Sequence, residues 1–583
     1  DIDFGTAVMK CTPAHDPNDF ALAKKYGLKM PICMNPDGTM NEMCHKYAGM
    51  DRFECREALV EDFKKAGVVD HIEEHMHQVG HSERTGVIVE PYLSKQWFVK
   101  MKPLAEEVLR NQKIEDQKIH FVPSRFEKTF EQWLENIEDW CISRQLWWGH
   151  RIPAWTNKET GEMYIGMEDP KDKENWIQDE DVLDTWFSSA LWPFSTLGWP
   201  ESTDDLARYF PNDVLVTGYD IIFFWVARMA FQTRYCMKNR PFKDVLIHGL
   251  VRDSQGRKMS KSLGNGIDPM DVIEDHGADA LRFFLTTNST PGLDLRFDEK
   301  KMESSWNFIN KIWNAARYVQ MQIGDTKPTL DVDCLSSVDK WILSRMDEVL
   351  DHVSMNMEKY EFAMVGNELY SFIWNDFCSW YIELSKATLY SEDQAVVQNT
   401  KAVLYTVLEA ILKMLSPFMP FVTEEIYLDL PHDKESMNLE TWPEKVNFTY
   451  TNEEKDEMAL TISAIQAVRE TKTEYGMKPS EDLEISLHDE QGNFVELSKD
   501  SKAILDKMCH AHVVENLNSD DVLSRTIEKA VMTIKMDDLV DLEAEKEKLT
   551  KEIEHLEKEI KRASGMLSNP NFVSKAPEAK VKQ

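Results

Sequence analysis

Val245-Leu246-Ile247-His248-Gly249, followed shortly by Arg257-Lys258-Met259-Ser260-Lys261-Ser262-Leu263-Gly264-Asn265, decides the fold. The first three residues are an unbroken apolar run, the pattern of a short parallel strand buried on both faces. Lys258 and Lys261, three apart with hydroxyls beside them, follow on a loop between Gly256 and Gly266. Two ammonium groups on a bendable loop suit a polyphosphate whose charge is redistributed during reaction. On its own, such a pair reads as a solvated basic turn. Asp268 then offers a helix cap and Pro269 a first-turn residue. Strand, loop and helix in that order predict a Rossmann-like half.

A second strand precedes it. Val214-Leu215-Val216 leads to Thr217-Gly218-Tyr219-Asp220-Ile221, where Gly218 opens a helix. A strand ending in a glycine turn is where α/β folds bind nucleotides, and Asp220 is placed to accept ribose hydroxyls. Ile221 and Trp225, four apart, share a helix face, which ordinary core packing also explains.

The chain has 583 residues, 42% of them hydrophobic, and a formal charge of 67 − 102 = −35. Its length allows about four domains. So acidic a chain offers phosphates no general attraction, and any nucleic-acid partner needs a local basic track. None of the nine cysteines is spaced as a zinc ribbon or redox pair. No apolar run is long enough to span a membrane. Reduced thiols and a cytoplasmic location are expected. Both ends read as interior sequence, Asp1-Ile2-Asp3-Phe4 and Lys580-Val581-Lys582-Gln583, so a fragment of a longer protein is expected.

Near the start, Lys10-Cys11-Thr12-Pro13-Ala14-His15-Asp16-Pro17-Asn18-Asp19 predicts a strand with Lys10 and Thr12 on one face, then a helix from Asp19 to Tyr26. An N-cap accounts for an aspartate there. The same four polar residues also suit gripping an ammonium and a water. His75, His77 and His81 fall on one face of a further predicted strand, with no ligand spaced to complete a metal site. His77-Gln78-Val79-Gly80-His81 is one residue too long for His-x-Gly-His. Trp140, Trp147 and Trp148, beside Arg144, His150 and Arg151, read as a core corner or a stacking surface.

From Asp298 the spacing is helical, with Phe308, Ile312, Ala315, Ala316 and Val319 on one face, and it predicts an all-α bundle. Residues 446 to 535 predict a small α/β module. Leu542, Leu549, Ile553, Leu556 and Ile560 then form a heptad seam, broken at Ala563-Ser564-Gly565 and Ser568-Asn569-Pro570-Asn571.

Several of these strings resemble one family. The lysine loop matches the KMSKS signature of class I aminoacyl-tRNA synthetases. Lys10 to Asp19, Leu146-Trp147-Trp148-Gly149-His150, Asp184-Thr185-Trp186-Phe187-Ser188-Ser189 and the turn at Gly218 resemble the valyl-type enzymes, in family order. The resemblance implies a multidomain α/β plus all-α protein. Its modules would be the C-terminal part of a β-rich editing domain (1–90), the second half of a Rossmann-like catalytic domain (91–300), a helical anticodon-binding bundle (301–445), a junction module (446–535) and a truncated coiled-coil arm (536–583). The implied reaction is valine plus ATP to valyl-adenylate, then transfer to tRNA(Val).

It implies site residues as well. Lys258 and Lys261 would stabilise the reacting phosphates. Gly218, Asp220, His248, Gly249, Met259, Ser260 and Ser262 would hold the adenylate, and Trp186, Ile221 and Trp225 the valine side chain. Phe4, Lys10, Thr12, Asp16 and Asp19 would line a hydrolytic editing pocket, and Arg317 with Tyr318 would contact tRNA. Lys561, Arg562, Lys575, Lys580 and Lys582 would supply the local basic track. Mg²⁺ would arrive with ATP. No zinc is expected in residues 154–182, where some relatives carry a four-cysteine ribbon, because no cysteine lies there. A monomer is expected. An isoleucyl-type enzyme and a non-catalytic tRNA-binding fragment are the alternatives. Because His-x-Gly-His is missing from the sequence, this chain alone is expected neither to activate valine nor to edit at normal rates.

Overall fold

The computed structural model describes residues 8–82, 85–260, 263–539 and 542–567. The chain folds into two compact units that interleave in sequence. One comprises Asp1–Gln117, Glu131–Phe210 and Phe224–Pro241; the other comprises Lys118–Phe130, Pro211–Phe223 and Phe242–Gln583.

In the first unit, residues 8–90 hold the helices Pro17–Tyr26 and Arg52–Lys65. Asp16 and Asp51 cap them, their carboxylates accepting from Asp19 N and Phe53 N. The expected β-rich character is not found. Among the described residues of this stretch, β pairing is confined to the isolated bridges Met34↔Met40, Thr39↔Asp51 and His81↔Ile88. The strands expected at Lys10–Thr12 and His75–His81 are irregular chain. The physical reason is burial: Met76 and Val79 are exposed, so no apolar face exists for a strand to cover.

Further along, Phe98–Val99 pairs with Trp140–Cys141, and helix Met101–Asn111 packs on helix Ala227–Met237. A three-stranded antiparallel sheet, Met163–Ile165, Ala154–Asn157 and Trp176–Gln178, forms within residues 154–182. Trp155, Tyr164 and Trp176 hold it by successive ring contacts at 5.7 and 6.2 Å. The predicted tryptophan corner splits. Trp140 is buried, whereas Trp147 and Trp148 stand in solvent, on a bend between short strands that gives them nothing to pack on.

The second unit carries the predicted parallel sheet, in the order His120–Val122, Phe242–His248, Asn212–Gly218. Helices Pro269–His276 and Ala278–Asn288 follow, the first capped by Asp268 with Pro269 in its first turn. The bundle begins with Glu299–Ile323 and continues through Ser337–Glu358, Phe362–Leu389 (its middle wound as π-helix), Gln394–Leu415 and Pro420–Asp429. Phe308, Ile312 and Val319 are almost fully buried in one continuous core that reaches into the junction module. There helix Asn452–Glu474 backs a four-stranded sheet centred on Leu483–His488 and Ala530–Lys535.

The last described helix runs Leu542–Leu567 without a break at Ala563-Ser564-Gly565. One exposed glycine costs a helix only about 1 kcal/mol, too little to end a long one. Ile553, Leu556 and Ile560 of the seam are exposed. Lys575, Lys580, Lys582 and Ser568-Asn569-Pro570-Asn571 lie outside the described residues. None of the described helices is long and apolar enough to cross a membrane.

Candidate functional site

The strand ends of the second unit bring several expected residues together. Phe242–His248 and Asn212–Gly218 run parallel with His248 opposite Gly218. Asp220 folds back over the turn, its Oδ1 2.7 Å from where a Gly218 Cβ would stand, and His248 Cε1 is 3.6 Å from the same point. At Gly249 a side chain is impossible, since a Cβ would lie 1.9 Å from the Leu293 carbonyl oxygen. Gly218, Asp220, His248 and Gly249 therefore form one cluster at the carboxyl edge of the sheet, the place where such sheets bind ligands. Asp220 and His248 are exposed there, free to meet a polar ligand.

Asp294 ties this edge together, a role the sequence did not suggest. It accepts from Leu250 N at 2.8 Å and from the Tyr219 hydroxyl at 3.3 Å, and it pairs with Arg252. The Leu250 amide first, and then Arg252 and Tyr219, outweigh desolvation and hold its carboxyl below the usual range.

The lysine loop leaves from this edge. Arg252 bridges to Lys258, and Lys258 itself is exposed. Gly256 and Gly264 take φ of +81° and +60°, conformations that favour glycine. Met259 and Ser260 are half-buried. Lys261 and Ser262 lie outside the described residues.

In the first unit, Asp184 caps helix Thr185–Ser189 by accepting from Trp186 N at 2.8 Å. The carboxylate is buried between Arg144, with which it pairs, and Arg228 at 3.9 Å. The Arg228 guanidinium lies 3.9 Å above the Trp140 ring, and burial lowers its pKa. Trp186 stacks on Phe224 at 6.0 Å; Trp225 stacks on Trp192 at 5.4 Å and donates to Ser189 O at 3.2 Å. Both expected tryptophans are thus anchored on one short helix, whereas Ile221 belongs to the second unit.

The four polar residues near the start also converge. Lys10 Nζ donates to Thr12 Oγ1 at 3.0 Å. Thr12 N and Oγ1 donate to Asp19 Oδ2 at 2.6 and 3.4 Å, and Asp16 Oδ1 accepts from Asp19 N at 2.9 Å. Asp19 is buried and Lys10 exposed, so the ammonium faces water and the carboxylate is fixed. His15 was not singled out. Its Nε2 accepts from Cys33 N at 3.1 Å, so Nδ1 carries the proton and donates to Pro91 O at 3.1 Å. Phe4 lies outside the described residues.

In the bundle, Arg317 is exposed, but Tyr318 is half-buried with its hydroxyl enclosed and unpartnered. Successive helical residues point about 100° apart, so the two do not form one face.

Residues 40–298 match the family model described as tRNA synthetases class I (I, L, M and V). Residues 339–487 match the anticodon-binding domain of tRNA ligase, and 541–583 the valyl tRNA synthetase tRNA binding arm. The valine–tRNA ligase of Bacillus subtilis (strain 168) is 51% identical over 584 residues, 99% of this chain and 66% of that protein. That of Staphylococcus saprophyticus is 51% identical over 100% of this chain and 67% of its own length, and that of Geobacillus kaustophilus 52% over the same shares. The chain spans about two thirds of the length of the curated relatives it matches.

Proposed function

The chain belongs to the valine–tRNA ligase family of class I tRNA synthetases, and from that premise we propose that it carries part of the machinery that charges tRNA(Val) with valine. What carries the reading is sequence identity of 51–54% along 99% or more of the chain. In the reaction, a valine carboxylate oxygen attacks the α-phosphorus of ATP and pyrophosphate departs. A terminal hydroxyl of tRNA(Val) then takes the acyl group and AMP leaves.

Asp220 accepts ribose hydroxyls beside Gly218, and Gly249, whose missing side chain makes room for the Leu293 carbonyl, shapes the sheet edge that the nucleotide meets. His248, Met259, Ser260 and Ser262 complete this contact. Lys258 and Lys261 neutralise charge on the attacked and departing phosphates, where one such donor contributes about 10²–10³ in rate. Mg²⁺ comes with ATP as part of the substrate. Trp186 and Trp225 hold the isopropyl group, and Ile221 is assigned to it on family resemblance alone.

Editing follows from a limit on recognition. An apolar pocket distinguishes valine from threonine by only about 10², a figure given for this very pair of amino acids in valyl enzymes. We assign removal of misattached threonine to Lys10, Thr12, Asp16 and Asp19, whose geometry supports it: an exposed ammonium, a hydroxyl and a fixed carboxylate in one chain of hydrogen bonds. The five modules 1–90, 91–300, 301–445, 446–535 and 536–583 keep their proposed roles, with Arg317 the solvent-facing member of the tRNA pair. A monomeric, cytoplasmic enzyme without zinc in residues 154–182 completes the proposal.

The test is valine-dependent ATP–pyrophosphate exchange by the full-length enzyme, with threonine and isoleucine as competitors. Exchange driven best by valine supports the reading. Exchange driven best by isoleucine, or none with any of the three, overturns it.

A further inference from the structure

Between Arg252 and Ile267 the chain makes an excursion whose shape rests on two side chains. Asp253 is 6% exposed, although it lies in a loop. Its Oδ1 accepts from Gln255 N at 3.0 Å and Arg257 N at 2.8 Å; its Oδ2 accepts from Arg257 Nε at 2.8 Å and Asn265 Nδ2 at 2.9 Å. Asn265, on the returning limb, uses both ends of its amide. Nδ2 also donates to Lys258 O at 3.3 Å, and Oδ1 accepts from Ser260 N at 3.0 Å. The two side chains thus join the outgoing limb to the returning one and grip the backbone on both sides of Met259. Neither touches the Lys258 ammonium, which stays exposed.

We propose that Asp253 and Asn265 are positioning residues: they form a clasp that sets the backbone carrying Lys258, so that its ammonium reaches the phosphates in one geometry. The proposal rests on the reading of Lys258 as a phosphate-binding residue. The clasp specifies its two members chemically. Position 253 must be an acceptor throughout, since all four of its partners are donors. Position 265 must donate and accept at once, which an amide does and a carboxylate does not. A carboxylate at 265 would face that of Asp253 at hydrogen-bond distance, and two such anions repel. A side chain that is nearly the same shape would therefore break the clasp by charge alone. Displacing a reacting group by about 1 Å costs about 10²-fold in rate.

The full-length enzyme tests this with N265D, D253N and the swapped double variant D253N/N265D. The swap removes the repulsion between two carboxylates and restores one carboxylate–amide bond across the neck, but it sets the position-265 carboxylate against the Lys258 carbonyl and gives position 253 an amide where four donors converge. In N265D, kcat for valine-dependent pyrophosphate exchange is expected to fall about 10²-fold, with KM for valine unchanged. The Arg257 and Ser260 amides should lose protection from hydrogen exchange while those of the bundle keep theirs. The swap, which relieves only the repulsion, should exchange faster than N265D and remain below the wild-type rate. The proposal is overturned if N265D exchanges at the wild-type rate, if its loop amides stay protected, or if the swap is no faster than N265D. General unfolding, with bundle amides exposed as well, also overturns it, because the residues would then be structural. Absence of exchange in the wild-type enzyme would instead sink the functional reading and leave the amide-protection result to decide the clasp.

Discussion

Residues 8–90 and the bundle from Glu299 to Asp429 are held by different physics. In the bundle, helix after helix contributes fully buried aromatic and aliphatic side chains to one core. In residues 8–90 the buried hydrophobic side chains among those described are Ala14, Ala23, Met34 and Cys55, none of them aromatic. There the helix caps at Asp16 and Asp51, the Arg52–Glu90 ion pair and the two hydrogen bonds of His15 fix the chain instead. The contrast separates two kinds of vulnerability. Where volume sets position, a substitution is felt as lost stability. Where polar contacts set position, it is felt as lost geometry in the residues they join.

Removing volume from the bundle is the strongest way to break that comparison. Phe308 is fully buried and lies 5.1 Å from Phe283 and 4.8 Å from Tyr370, ring to ring. Phe308→Ala should cost about 3–5 kcal/mol, read as a lower urea midpoint. A cost below about 1 kcal/mol would mean the site collapses freely, unlike a close-packed core. Next comes the polar counterpart, Asp19→Asn. It leaves volume unchanged but weakens the acceptor for Thr12. Hydrolysis of threonyl-tRNA(Val) by the full-length enzyme should slow by about 10² while the unfolding midpoint barely moves. A large midpoint shift with normal hydrolysis would reverse the assignment.

Limited proteolysis sharpens the same point. The first cuts should fall within 68–97, an exposed stretch without regular structure among its described residues, before any within 299–429. Early cleavage inside the bundle would contradict the packing argument. The smallest effect concerns Asp347, within the bundle helix Ser337–Glu358. Burial, offset by the Val446 amide and Lys445, pushes its pKa up to about 6. Unfolded, it titrates near 4. The folded state therefore keeps the proton to higher pH. The stability this group supplies is complete below about pH 4 and is lost as pH rises to about 6. Asp347→Asn should flatten the stability profile across that window by on the order of 1 kcal/mol, given partial exposure. An unchanged slope would place its titration elsewhere.

The periodic and capping signals were legible. Helical spacing located the bundle, and Asp268-Pro269 marked a helix start, because both depend on near neighbours. The strand ends at Gly218 and His248 were readable for the same reason. What escaped were consequences of chain closure. Asp253 and Asn265 are twelve residues apart, and nothing local announces that they meet. Asp184 was legible only as part of a family string, because its burial between Arg144 and Arg228 comes from segments distant in sequence. Alternation at His75–His81 misled because a strand also requires a surface to cover. Trp147 and Trp148 misled because size suggested burial where the backbone offered no cavity.

The contact between Gly249 and the Leu293 carbonyl has a mechanical consequence. Just beyond it, Leu250 O accepts from Leu295 N at 3.0 Å, and Val251–Arg252 pairs with Leu295–Arg296. The root of the lysine loop is thus held to its neighbour by backbone pairing in addition to the Asp294 side chain. If Lys258 meets phosphate as proposed, the backbone up to Arg252 is already fixed by these contacts. Ordering backbone costs about 1–2 kcal/mol per residue, so residues already fixed here add nothing to that cost, and the hydrogen atom that stands for a side chain at position 249 is what permits the contact.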